Sequence, residues 1–128
     1  MSRWDGINRR KFPRVNYPCL VVIRNEGTLG KDVVLTHTEN VGIGGVCVIL
    51  KQSAKMFSPV ELELDLLDMG NHIKCNGKVV WNIQRSSGIA KKPLFYDVGI
   101  EFDDITVEDQ ERLMKIVRQL VKEGHAAP

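Results

Sequence analysis

Arg9-Arg10-Lys11-Phe12-Pro13-Arg14 sets four cations within six residues. Packed that closely they repel one another and need either open solvent or a bound counter-charge. Arginine offers a planar fork of donors that matches phosphate oxygens and, equally, the O6/N7 edge of guanine. Arg10 and Arg14 are four apart, but Pro13 disfavours a continuous helix and keeps Phe12 extended. The pair can therefore project from a bent segment and grip a ligand from two sides. The same residues also suit a plain solvated basic tail, and spacing alone does not separate the two readings.

A second stretch, Glu39-Asn40-Val41-Gly42-Ile43-Gly44-Gly45, holds three glycines in four residues between two apolar runs. Glycine admits positive φ and leaves no side chain in the way of a ligand. Consecutive free N–H groups in such a turn can form an anion-binding nest. The Asn40 side chain can hold the turn or bond the ligand directly. A ligand-free strand connection is the competing reading. No helix follows, so the glycines are not the fingerprint of a Rossmann-type dinucleotide fold.

Catalytic and metal constellations do not emerge. His37, His72 and His125 match no HxxxH or HExxH pattern, and no short-spaced Cys/His pairs suit zinc. GxSxG and P-loop patterns are lacking as well. The expectation is a non-enzyme with no metal and no resident cofactor. The histidines read as surface residues, and Cys19, Cys47 and Cys75 as buried thiols among apolar strand neighbours.

The chain's 128 residues, 43% hydrophobic, fit one domain able to bury a core without disulfides. A net charge of +2 is too mild for a generic nucleic-acid protein. The distribution matters more: Met1–Arg24 carries six cations against one acid, Asp5, a local +5. The N-terminus is polar, without the apolar core of a signal peptide. No apolar run approaches the roughly 18 residues a membrane helix needs. A soluble protein of the reducing cytoplasm is expected.

Short apolar runs punctuated by turn residues mark the elements that must position these side chains. Residues 1–14 read as a flexible basic arm. Six strands follow, centred on Leu20–Ile23, Lys31–Glu39, Val46–Leu50, Val60–Leu66, His72–Asn82 and Leu94–Phe102. Asn25-Glu26-Gly27 and Asp68–Asn71 read as turns, and Gln84–Pro93 as a polar loop. Leu62, Leu64 and Leu66 alternate with Glu61, Glu63 and Asp65 at the period of a half-buried strand. Ile73, Cys75, Val79 and Trp81 share a parity that reads as core, with Gly77 marking a bulge or corner. Thr106-x-x-Asp109 opens a final helix like a capping box, and Val107, Leu113, Ile116, Val117 and Leu120 follow helical spacing. The fold class is thus all-β with one helix: a six-stranded antiparallel barrel over 15–103, an amphipathic helix over 106–123 and a tail over 124–128. Together they make a single domain over 1–124.

Arg10-x-x-x-Arg14 followed by Asn40-x-Gly42-x-x-Gly45 resembles the two-part signature of PilZ domains, RxxxR and then (D/N)xSxxG. Gly77–Trp81, Val98–Phe102 and the acidic entry to the last helix are similar too. The likeness runs from about Asn8 to Val121. It implies a split-barrel fold that binds the bacterial messenger cyclic di-GMP. Arg10 and Arg14 would contact phosphate and guanine, with Asn40, Gly42 and Gly45 shaping the barrel half of the site. Arg9, just before RxxxR, accompanies a stacked ligand pair in this family. Gly42 stands where the family most often has Ser, and the lost hydroxyl would cost about 0.5–1.5 kcal/mol, or roughly two- to tenfold in affinity. The resemblance also implies a stand-alone bacterial receptor or adaptor. Ligand would order its arm, and a downstream protein partner would read the result, with a homodimer also possible. Two rivals remain. One is a PilZ-like barrel that has lost its ligand and works through protein contacts. The other is a small nucleic-acid-binding barrel, disfavoured because several aromatics (Trp81, Tyr96, Phe102) share the core parity.

Overall fold

The computed structural model describes residues 14–27, 30–85 and 95–127. Its elements are β1 (Arg14–Asn16), β2 (Leu20–Gly27), β3 (Gly30–Gly42), β4 (Gly45–Leu50), β5 (Pro59–Asp65), β6 (Ile73–Arg85), β7 (Phe95–Phe102) and α1 (Val107–Lys122). Arg9, Arg10 and most of the expected arm and polar loop lie outside the described residues.

Period-two patterning drives the strands together. Leu62, Leu64 and Leu66 are buried while Glu61 on the opposite parity is exposed. Each buried leucine is worth about 1.5–3 kcal/mol, so a one-residue slip that exposed all three would be prohibitive. Every pairing is antiparallel. The order β3-β2-β5-β6-β7-β4 closes when β4 pairs back onto β3, giving a six-stranded barrel. Val21, Ile23, Val41, Val46, Val48, Val98 and Ile100 fill it in one continuous core with the β5 leucines.

The helix forms as its sequence dictates. The Asp109 amide donates to Thr106 Oγ1 at 3.1 Å, and Glu108 and Asp109 occupy the positive end of the helix dipole. Leu113 and Val117 are buried, and α1 packs on β1 and β3. Arg112 fastens the helix to the β5–β6 hairpin with two bonds to Asp68, Nη2 to Oδ1 at 2.8 Å and Nε to Oδ2 at 3.1 Å. Gly124, at φ +86°, then reverses the chain.

Four local expectations are corrected. Arg14 is not the end of an arm but the first residue of β1, a strand the turn-rich sequence hides because it is three residues long. Asn25, Glu26 and Gly27 continue β2 rather than turn, because β3 extends back to Gly30 and pairs with them. Gln84 likewise belongs to β6. The bulge on β6 lies between Val79 and Trp81, not at Gly77, and it reverses the parity beyond it. Trp81 therefore leaves the core, and Asn82 turns inward with its Nδ2 donating to the Ala54 carbonyl at 2.7 Å. Gly77 is needed instead for close approach, since a Cβ there would sit 2.8 Å from Ile100 Cγ2.

Glycine at position 45 answers to the same kind of constraint. A Cβ on Gly45 would lie 2.3 Å from the Ile100 carbonyl oxygen, whereas one on Gly44 would meet nothing within 4 Å. Gly45→Ala should destabilise the barrel by about 2–3 kcal/mol, and Gly44→Ala should stay within about 0.5 kcal/mol. Urea melts of the two variants check this, and equal midpoints would refute it.

Candidate functional site

The end of the first signature stretch meets the second through strand pairing. Arg14 stands opposite Gly42, Val15 opposite Val41, and Asn16 opposite Asn40. Val41 is buried in the core, so Asn40 and Gly42 point away from it. Opposed residues in an antiparallel pair share a face. The pairs Asn16–Asn40, Asn40–Cys47, Cys47–Gly99 and Gly99–Trp81 therefore form one row across the outside of β1, β3, β4, β7 and β6. Arg14 and Gly42 form the start of the next row, and Gly45 opposite Glu101 continues it on β4 and β7.

This face has a flat, mixed character. Gly42 and Gly45 bring no side chains to it. The Trp81 indole lies over Gly99, where a Cβ would come within 2.1 Å of its Nε1. Asn40 Oδ1 is buried and has no hydrogen-bond partner among the described residues. A buried acceptor left so costs about 1–3 kcal/mol unless a donor arrives. The Cys47 thiol is buried at the centre of the row, and burial pushes its pKa up to about 12, helped by the nearby charges of Glu39 and Asp97 and opposed by Arg14 and Arg85. It is a neutral packing group there.

One flank is acidic. A register shift between Thr38 and Asn40 leaves Glu39 bulged out of the β3–β4 ladder. Its carboxyl sits beside that of Asp97, and Arg85 Nη1 lies 3.2 Å from Glu39 Oε1 and 3.4 Å from Asp97 Oδ1. Burial, reinforced by Asp97, raises the Glu39 pKa from 4.5 to about 7 in spite of Arg85. The bulge itself is buttressed by Thr38, whose Oγ1 donates to the Tyr17 carbonyl at 2.6 Å and accepts from the Cys19 amide at 3.0 Å.

Of the six residues singled out in the sequence, Arg14, Asn40 and Gly42 are brought together, and Gly45 joins them on the adjoining strand. Arg9 and Arg10 lie outside the described residues. The glycines act differently from the expected nest: Gly44 and Gly45 are not at positive φ, and the turn proper is only Ile43-Gly44. The sequence reading missed Trp81, Cys47 and the Glu39–Asp97–Arg85 cluster. Gly99 in the alternating strand was the available signal for Trp81, since a glycine there makes room for a large cross-strand neighbour. Among the described residues, no group of three or more His, Cys, Asp or Glu could hold a metal ion. No described helix is long and apolar enough to cross a membrane.

The PilZ domain model matches residues 8–119. The chain belongs to the PilZ domain family. Solved structures agree on the fold. The K. pneumonia MrkH–c-di-GMP complex is 20% identical with a TM-score of 0.70, covering 91% of this chain and 54% of that one. Bacillus subtilis inhibitor of motility (MotI/DgrA) is 18% identical with a TM-score of 0.68, covering 91% and 51%. The PilZ domain of Escherichia coli YcgR, solved with c-di-GMP, is 13% identical with a TM-score of 0.66, covering 91% and 94%. This PilZ chain thus spans about half the length of MotI and MrkH but nearly all of the isolated YcgR domain. No curated protein sequence matches it.

The acidic flank of this PilZ face yields a pH test. The folded chain holds the Glu39 proton more tightly than the unfolded chain does, with a pKa of about 7 against 4.5. The resulting stability is full below about pH 4.5 and is lost as pH rises through 7. Glu39→Gln should therefore flatten the fall in Tm between pH 5 and pH 8 and melt higher than the wild type at pH 8. Parallel Tm–pH curves for the two proteins would contradict the assignment.

Proposed function

We propose that this PilZ domain is a non-catalytic receptor for cyclic di-GMP and that the ligand lies on the outer face between Arg14 and Trp81. The observation that carries the reading is the Arg14–Gly42 pairing, which sets the last residue of the first motif beside the second motif. Two of the similar folds, MrkH and the YcgR PilZ domain, were solved with this dinucleotide.

The chemistry suits such a ligand. Its two phosphates and two guanines both match arginine forks. Arg14 approaches from β1, with Arg9 and Arg10 preceding it in the chain. A guanine N–H can satisfy the orphaned Asn40 Oδ1. The bare strip at Gly42 and Gly45 lets the ligand approach the backbone, and the Trp81 indole supplies a surface on which a purine can stack. Gly42 lacks the serine hydroxyl usual at its position, so the arginines must carry more of the affinity. Ligand-induced ordering of the residues that precede Arg14 then presents a new surface to a protein partner in the bacterial cytoplasm.

Isothermal titration with cyclic di-GMP tests the site. Arg14→Ala should weaken binding by about 10- to 100-fold, the worth of lost charge-assisted bonds, and Arg10→Ala should do likewise. Negligible heats from the wild type and both variants would overturn the reading. They would favour a PilZ barrel that acts through protein contacts alone, the alternative that Gly42 supports. Unchanged amide exchange in the residues that precede Arg14 at saturating ligand would refute the ordering step even where binding holds.

A further inference from the structure

β1 is three residues long and is added outside the closed barrel, on β3. One of its edges faces β3. A strand this short gains little from one partner, and its second edge would otherwise present unpaired backbone groups. That second edge is taken by the chain leaving α1. After the reversal at Gly124, the Asn16 amide donates to the His125 carbonyl at 2.9 Å, and the Ala127 amide donates to the Arg14 carbonyl at 2.7 Å. Val15 and Ala126 form an antiparallel bridge between these two bonds. Val15 is fully buried, and α1 packs on β1 as well.

We infer that the C-terminal segment His125–Ala127 is a positioning element of the ligand face. It clamps β1 from the side opposite β3, and so holds Arg14 in register with Gly42 and Asn40. This rests on the cyclic di-GMP reading for its ligand but not for its geometry. The coupling is reciprocal: whatever ligand binding does to fix Arg14 must also tighten the segment on β1. The C-terminal segment is therefore an output of the site as well as a support for it.

The test uses two variants of the full protein. Ala127→Pro removes the N–H that reaches the Arg14 carbonyl and leaves the barrel core untouched. A stop after Gly124 removes the whole segment. Each should raise the Kd for cyclic di-GMP by about 3- to 10-fold, the worth of one or two surface backbone hydrogen bonds. The barrel Tm should change by no more than a few degrees. In an Arg14→Ala background the same changes should have no further effect on Kd, which a merely structural contribution would not predict. Without ligand, exchange at the Val15 amide, which faces β3, should quicken in both variants. Cyclic di-GMP should slow exchange at Ala127 in the wild type. An unaltered Kd, or a penalty that persists beside Arg14→Ala, overturns the positioning role. Unaltered Val15 exchange overturns the clamp whether or not any ligand binds. No heat from the wild type sinks the proposed ligand instead, and the exchange data still decide the clamp.

Discussion

Closure of the barrel rests on a short seam. β3 is 13 residues long, yet its ladder register with β4 runs only through Thr38–Val48, Asn40–Cys47 and Val41–Val46, with Thr36 Oγ1 adding a bond to the Ile49 carbonyl at 3.0 Å. Those pairs complete the ring and bury Val41, Val46 and Val48. They also create the outer face, because each residue driven inward sends its neighbour outward. The bulge at Glu39 moves the register by one residue, which is why Asn40 rather than Glu39 stands opposite Cys47. Seam and candidate site are thus one piece of backbone. Anything that slips the seam disturbs the site and the core together.

Much of this was legible in residue order. Strands with one wet face announce themselves by alternation, and β5, with its leucines and acids, is the clearest case. The Thr106 cap and the 3/4 spacing of Leu113 and Val117 settled the helix. The paired motif Arg10-x-x-x-Arg14 and Asn40-x-Gly42-x-x-Gly45 pointed to the family. What stayed hidden depended on cross-strand partners. Trp81 reads as core by parity until the bulge beyond Val79 is known, and a bulge leaves no mark in hydrophobic order. Glu39 and Asp97 are 58 positions apart and become neighbours only through closure. β1 is too short for any periodicity, and it exists because β3 and the segment after α1 hold it from both sides.

The electrostatics of the face follow from its two flanks. Arg14 stands on one side of Cys47 and the Arg85 cluster on the other, so the centre of the row sees both signs at once. With Glu39 protonated, the acidic flank carries about one charge fewer, and the field over Asn40 and Trp81 turns more favourable to an anion. Burial of Glu39, more than any ion pair, decides which of these two charge states the face presents.

The bridge between Val15 and Ala126 has a topological corollary. Arg14 and Ala127 lie side by side on neighbouring stretches of backbone, joined by the bond from the Ala127 amide to the Arg14 carbonyl. A barrel trimmed to Arg14–Ala127 could be spliced into a host loop as a cassette, or circularly permuted across a short linker, without stretching its frame. A sequence fused directly after Ala127 would start beside that same arginine.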